Sequence, residues 1–304
     1  MSNEAVYHVP VMLEECMQAM DIKPDGVYVD VTFGGGGHSR EILKRLGENG
    51  RLIAFDQDPD AVKNALDDPR FTLVHQNFRF LKNNLRLLGI KEVDAILGDL
   101  GVSSHQFDSA ERGFSIRFEA DLDMRMDQVS DLDAKKILNT YAEEDLHRIF
   151  GMYGEIQNAR SLAKTVVTAR LTTPIETVEG LKDAIKKLVP RGKEHKYHAQ
   201  VFQALRIEVN QELEALQDFL SQTISVLKPG GRLVIMSYHS LEDRLVKNFM
   251  QKGKFKGEVE KDFFGNEIKP FHVISRKAIT ASEAELALNN RSRSAKLRVA
   301  ERLA

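Results

Sequence analysis

The sequence predicts an α/β protein with a mostly parallel sheet into which a helical segment is inserted. Four apolar runs alternate with helical patterns, at 27–31, 51–56, 71–78 and 93–99, and such alternation is typical of parallel strands joined by helices. About 130 residues then precede the next buried run, at 231–240, which is far more than one crossover needs. Two segments near the C-terminus, 272–279 and 294–302, alternate like strands with no full crossover helix between them, which predicts an antiparallel end to the sheet.

The inserted segment carries helical periodicity and no strand pattern between residues 132 and 188. We therefore expect one discontinuous domain made of residues 1–106 and 200–304, with a small helical domain at 107–199 inserted for substrate recognition. The polar and basic stretch 187–198 is interpreted as the return linker. A single long helix is predicted for residues 200–227 from apolar residues at three- and four-residue steps.

Composition narrows the classes of protein that remain. The chain has 304 residues and 42% hydrophobic content, enough for about two globular domains. A single cysteine, Cys16, excludes an internal disulfide and fits a reducing compartment. No apolar run approaches the length of a bilayer span, and no basic and apolar leader is present. We therefore expect a cytoplasmic protein without a membrane partner.

A glycine block, Gly34 to Gly37, separates the first apolar run from the first helical pattern. Glycine allows positive φ angles and close approach of a ligand to the backbone, so the block predicts a nucleotide-binding turn. About 20 residues on, the second run ends in Asp56, an acid that can accept hydrogen bonds from both ribose hydroxyls. An adenosine-type cofactor is therefore expected, and NAD and S-adenosylmethionine both fit this layout.

The antiparallel close favours S-adenosylmethionine, because it is typical of methyltransferases that use this cofactor. Several blocks support the same class: FGGGGHS (33–39), FDQDP (55–59), GDLGVSSHQ (98–106), ERGFS (111–115), LDMRMD (122–127), FQALRIEVNQEL (202–213), SYHSLEDR (237–244) and RSRSAKLRVAER (291–302). From His8 to the C-terminus the chain resembles the bacterial family that methylates N4 of a cytidine in 16S ribosomal RNA. The resemblance implies a Rossmann-like class I methyltransferase sheet, S-adenosylmethionine as cofactor, and cytidine 1402 of the small ribosomal subunit as target.

The resemblance also implies roles for individual residues. The cofactor positions it matches are Gly36, Gly37, His38, Asp56, Phe78, Asp99 and Gln106. For His38 a helix cap and for Phe78 a core position remain the alternatives. Asp99 is also the candidate catalytic residue, because it lies in the loop where amine methyltransferases carry an acid or amide. The two prolines and the aromatic residue usual in that loop are absent, so Phe114 or Tyr238 is a candidate ring for stacking the base.

Candidate RNA contacts fall in three places. The insertion contributes Arg112 and Arg125, a polar line along the long helix contributes Gln203, Arg206 and Asn210, and the basic tail contributes Arg291, Arg293 and Lys296. Solvation is the alternative for the polar line, and a charged strand edge that prevents aggregation is the alternative for the tail.

Other chemistries are disfavoured. Methylation at carbon 5 needs a cysteine nucleophile, and Cys16 lies on an apolar helix face. His195 and His198 lack companions at ligand spacing, so no metal site is predicted. A nucleotide-dependent oxidoreductase and an RNA-binding assembly factor that retains a cofactor site remain as rivals. The sequence does not decide between a monomer and a homodimer.

Overall fold

The structure is a computed structural model that describes residues 10–304. His8 and Val9, where the family resemblance begins, lie outside the described residues. Backbone contacts divide the chain into two compact units. The first ends at Gly101 and resumes with Glu214–Ala304, and the second is Val102–Leu213. These boundaries differ from those that the sequence predicts, at 106/107 and 199/200.

The helices and strands follow in chain order. Before the insertion lie α1 (Leu13–Met20), β1 (Val27–Asp30), α2 (Gly37–Arg45), β2 (Arg51–Asp56), α3 (Pro59–Val62), β3 (Phe71–His75), α4 (Leu81–Leu87) and β4 (Val93–Asp99). Next come α5 (Ser104–Asp108), α6 (Ala134–Thr140), α7 (Glu143–Met152), α8 (Ala159–Arg170), α9 (Val178–Ile185) and α10 (Glu194–Asn210). The chain ends with α11 (Glu212–Val226), β5 (Leu227–Ser237), α12 (Ser240–Lys252), β6 (Glu260–Lys261), β7 (Glu267–Ile268), β8 (Phe271–Val273), α13 (Glu283–Leu288) and β9 (Lys296–Arg302). Within residues 10–304, no helix combines the length and apolarity that crossing a bilayer requires.

Seven strands form one sheet in the order β3-β2-β1-β4-β5-β9-β8. The pairs among β1 to β5 are parallel, and β9 is antiparallel to both β5 and β8. The predicted parallel sheet with one reversed strand near its end is therefore confirmed. The strand order changes direction between β1 and β4, and ligands of such sheets bind at the carboxyl ends of the strands beside this switch point. The loops after β1 and β4 lie next to each other there.

The sheet is covered on both faces, as parallel sheets require. Alternate strand residues enter different cores: Tyr28 and Leu52 pack with the methionines of α1, whereas Val29 and Ile53 pack with Phe219 of α11 and its neighbours. Both sets are buried to 2% exposure or less. Because both faces are apolar, β1 and β2 read as continuous hydrophobic runs, and this is why the sequence shows them clearly.

The helix predicted for residues 200–227 is wrong in two respects. Gln211 has a left-handed conformation, with φ of 48°, which ends α10 and separates it from α11. An ion pair of 2.8 Å between Arg206 Nε and Glu212 Oε1 spans this break. In addition, α10 begins at Glu194, so the second half of the predicted linker is helical. The periodicity continues through the break because a single left-handed residue leaves the apolar stripes on either side intact.

Candidate active site

The turn after β1 requires glycine at specific positions. Gly34 and Gly36 have φ of 52° and 74°, in the region that side chains disfavour. A Cβ on Gly36 would lie 2.9 Å from the Phe33 ring, and one on Gly37 would lie 2.3 Å from Pro10 Cγ. A Cβ on Gly35 would meet nothing within 4 Å. The turn is therefore tightly packed on one side and open above Gly35, where a ligand can approach the backbone.

The same turn also contains two backbone amides that make no hydrogen bond to the described part of the chain. Within residues 10–304, the Gly35 and Gly37 amides donate no hydrogen bond. The first turn of α2 contains no acidic side chain. Because the N-terminus of a helix carries partial positive charge, this position favours an anionic group such as the carboxylate of an amino acid.

Asp56 lies at the end of β2, beside the turn. Its Oδ2 accepts the Gly34 N–H at 2.8 Å and its Oδ1 accepts the Asp58 N–H at 2.9 Å. Each oxygen keeps a second lone pair, so a pair of ribose hydroxyls can still donate to this carboxylate. Withdrawal from water raises the pKa of Asp56 to about 6, although the two backbone donors act in the opposite direction.

Asp30 is a structural acid of the site that is absent from the residues predicted from the sequence. Its carboxylate is 1% exposed and accepts the Ser39 hydroxyl at 2.7 Å and the Thr32 N–H at 3.1 Å. The Thr32 hydroxyl oxygen accepts the Asp99 N–H at 2.7 Å. These bonds connect the ends of β1 and β4 to the start of α2. The signal in the sequence was an acid at the end of an apolar strand, four residues before the first glycine of the block.

Asp99 lies at the end of β4 with 23% of its side chain exposed. Its Oδ1 accepts the Tyr238 hydroxyl at 2.7 Å, and its Oδ2 lies 3.9 Å from His38 Nδ1. Burial raises the pKa of Asp99 to about 6, while His38 and the Tyr238 hydroxyl act in the opposite direction. A carboxylate with these properties is a proton acceptor that is ionised at neutral pH.

His38 does not cap α2. The N-cap is Gly36, and it makes no side-chain capping bond. The His38 ring is buried, and its Nε2 lies 3.2 Å from the Val11 carbonyl oxygen. A carbonyl can only accept, so this contact assigns the Nε2 proton and directs Nδ1 toward Asp99.

Phe78 and Gln106 each have a structural role. Phe78 begins a 3₁₀ turn after β3 and packs edge-on against Phe219, with ring centroids 5.4 Å apart. In the second unit, Gln106 forms a capping box with Ser103, whose N–H donates to Gln106 Oε1 at 3.0 Å. Cofactor contacts by these two residues stay predictions.

In the second unit, the five residues predicted to contact RNA have internal partners. Asn210 accepts the Met126 N–H at 2.7 Å and donates to the Met124 carbonyl at 2.8 Å. The other contacts are Gln203 to the Tyr153 carbonyl, Arg206 to Glu212, Arg125 to Asp123, and Arg112 to the Arg125 and Met126 carbonyls. Arg112 is 5% exposed, so its guanidinium is not presented to a phosphate. The contacts of Arg112, Arg125 and Asn210 hold the 112–130 loop in place.

The basic tail is more accessible. Arg293 and Lys296 are exposed, whereas Arg291 is half-buried. Lys296 Nζ lies 3.4 Å from Asp243 Oδ2. Arg298 Nε lies 2.6 Å from Asp243 Oδ1, so Asp243 is shared between two cations.

The sheet with its reversed strand, the glycine turn and the acid at the end of β2 together define a Rossmann-like methyltransferase. The model of the MraW methylase family matches residues 5–303, and the chain belongs to this family. It is 57% identical over the full length of both chains to a protein of Flavobacterium johnsoniae named ribosomal RNA small subunit methyltransferase H. A protein of the same name from Cytophaga hutchinsonii is 60% identical over 98% of this chain and all of that chain. The predictions of a methyltransferase and of S-adenosylmethionine as its cofactor are confirmed.

Proposed function

We propose that this enzyme transfers a methyl group from S-adenosylmethionine to N4 of cytidine 1402 in 16S ribosomal RNA, within the small ribosomal subunit. The observation that supports this best is the Asp99 carboxylate at the switch point of the sheet, one oxygen held by Tyr238 and the other turned toward His38. The names of the relatives support the RNA substrate. A ribosomal substrate also supports the expected cytoplasmic location.

The residues of the first unit fit this cofactor. Asp56 can accept the two ribose hydroxyls, and the Gly35 and Gly37 amides at the start of α2 can bind the carboxylate of the methionine moiety. The open space above Gly35 allows the approach that a side chain there would block. When bound, S-adenosylmethionine supplies an electrophilic methyl group.

The protein must make the cytosine amine nucleophilic, because its lone pair is delocalised into the ring. In this proposal Asp99 Oδ2 accepts a hydrogen bond from the amine, and this bond helps the nitrogen become pyramidal. The Asp99 carboxylate then removes a proton from the same nitrogen. A pKa of about 6 suits this role, since the carboxylate is mostly ionised above pH 7 yet still basic enough to take a proton. Asp99 therefore has to be ionised for turnover.

The exposed cations of the tail provide a phosphate-binding surface in this proposal. Arg293 and Lys296 carry it. In the second unit, Arg117 is an exposed cation lying over the Phe107 ring at 6.0 Å and is a separate candidate for a phosphate contact. The target cytidine has to be unstacked from its neighbours before its amine can reach the methyl group.

The test is incubation of the enzyme with labelled S-adenosylmethionine and small-subunit particles that lack the modification, followed by nucleoside analysis. The expected product is N4-methylcytidine, formed faster on particles than on a short RNA. An Asp99→Asn variant should lose about 100-fold or more in kcat, while its cofactor affinity changes by less than about threefold. Cofactor binding without any methylated nucleoside would instead support the RNA-binding assembly factor.

A further inference from the structure

Tyr238 directly follows β5 and is fixed on two sides. Its backbone N–H donates to Glu242 Oε2 at 2.9 Å, a contact that holds the residue against the start of α12. On the other side, its ring packs below the loop that follows Asp99, because a Cβ on Gly101 would lie 3.4 Å from Tyr238 Cδ2. Gly101 has φ of 97°, which a side chain would disfavour in any case. The phenol therefore has little freedom to turn.

The phenol is also a permanent donor. Burial raises the pKa of Tyr238 far above its ordinary value, and the neighbouring Asp99 raises it further. Its hydroxyl thus keeps its proton and donates it to Asp99 Oδ1 at 2.7 Å. The Asp99 backbone is held separately, by its N–H bond to Thr32. With the main chain and one carboxylate oxygen both fixed, the direction of Oδ2 is determined.

We propose that Tyr238 is a positioning residue, which holds the Asp99 carboxylate so that Oδ2 faces the reacting amine and favours its ionised form. This inference rests on the proposed function of Asp99. In this proposal Tyr238, the aromatic residue of the SYHSLEDR block, supports the Asp99 carboxylate and does not stack on the cytosine base. The loop after β4 lacks the prolines and the aromatic residue of other amine methyltransferases, and Tyr238, directly after β5, supplies the support that this loop itself does not provide.

The charged groups around Asp99 make the effect of the Tyr238 hydroxyl on the pKa of Asp99 measurable. The groups around Asp99 are Asp30 from β1, His38 from α2, Cys16 from α1, Glu242 from α12 and Tyr238. Two of these groups, Asp30 and Glu242, are acids whose charges disfavour ionisation of Asp99. Burial raises the pKa of the Cys16 thiol, so this group is neutral where Asp99 titrates. Removal of the Tyr238 hydroxyl takes away one of the few interactions that favour it, so the pKa of Asp99 should rise.

The test is the pH dependence of kcat in a Tyr238→Phe variant, which keeps the ring and its packing. The acid limb should move to higher pH by about one unit, so that activity at pH 6 relative to pH 8.5 falls about fivefold further than in the parent enzyme. Affinity for S-adenosylmethionine should stay within about twofold. The matched control is Tyr28→Phe, which removes a buried hydroxyl that accepts the Lys23 N–H at 2.6 Å, at the opposite end of the sheet. It should leave the acid limb in place.

A double variant, Tyr238→Phe with Asp99→Asn, separates this role from a merely structural one. If Tyr238 acts through Asp99, the double variant should be no slower than Asp99→Asn alone. An unshifted acid limb in Tyr238→Phe, or losses that multiply in the double variant, would overturn the inference and leave the proposed function intact. Absence of methylated cytidine with the parent enzyme would instead contradict the proposed function itself.

Discussion

Replacement of Asp56 by Ala is the most direct test of the cofactor site. In the structure this carboxylate has two backbone donors, from Gly34 and Asp58, and retains two lone pairs for a ligand. Hydrogen bonds to a charged acceptor contribute about 1.5–3 kcal/mol. We count the contribution of one such hydrogen bond, because the half-buried carboxylate already accepts two backbone hydrogen bonds. Cofactor affinity should therefore fall roughly 10- to 100-fold.

The affinity can be measured by calorimetry with S-adenosylhomocysteine, the demethylated product, together with a thermal unfolding curve. The parent protein should also bind more weakly as the pH falls through about 6, because protonation of Asp56 removes an acceptor from the ribose. In Asp56→Ala the part of this pH dependence that comes from Asp56 should disappear.

The control is Asp94→Ala, which lies near the amino end of β4, away from the carboxyl ends of the strands where the cofactor site lies. Asp94 accepts the Val27 N–H at 2.7 Å and pairs with Lys228 at 2.8 Å. Its loss should lower the melting temperature without changing cofactor affinity. If folded Asp56→Ala bound the cofactor within twofold of the parent protein, the assignment of Asp56 to the ribose would be wrong.

Two further predictions concern Asp99 and the tail. Because the pKa of Asp99 is raised in the folded state, its ionisation lowers stability as the pH rises through about 6. In chemical unfolding of the cofactor-free protein, the free energy of unfolding of Asp99→Asn should therefore be about 1–3 kcal/mol higher than that of the parent at pH 8, with a smaller difference at pH 5. An equal difference at pH 5 and pH 8 would contradict this prediction. Neutralising Arg291, Arg293 and Lys296 together should weaken binding of small-subunit particles and reduce its salt dependence, with cofactor affinity unchanged; an unaltered salt slope would exclude these residues from RNA binding.

The sequence determines the elements whose requirements are local. A buried parallel strand needs a continuous apolar run, and a tight strand-to-helix turn needs glycine at positive φ, so β1, β2, β4 and the Gly34–Gly37 turn are predictable from neighbouring residues. The acid at the end of β2 is predictable from its distance to the glycine block, and the reversed strand near the C-terminus is predictable because no crossover helix separates the last two strand patterns. The family blocks then distinguish a methyltransferase from a dehydrogenase, since each contains residues in an order that the fold alone does not require.

Only the tertiary structure decides what the polar side chains contact. The bond between Tyr238 and Asp99 joins residues 139 positions apart, and Asn210 reaches Met126 across 84 positions. Sequence spacing on one helix cannot show that the polar line of Gln203, Arg206 and Asn210 has partners within its own unit. An amide facing a loop carbonyl and an amide facing RNA give the same pattern along the chain. They differ only in what folding brings opposite them.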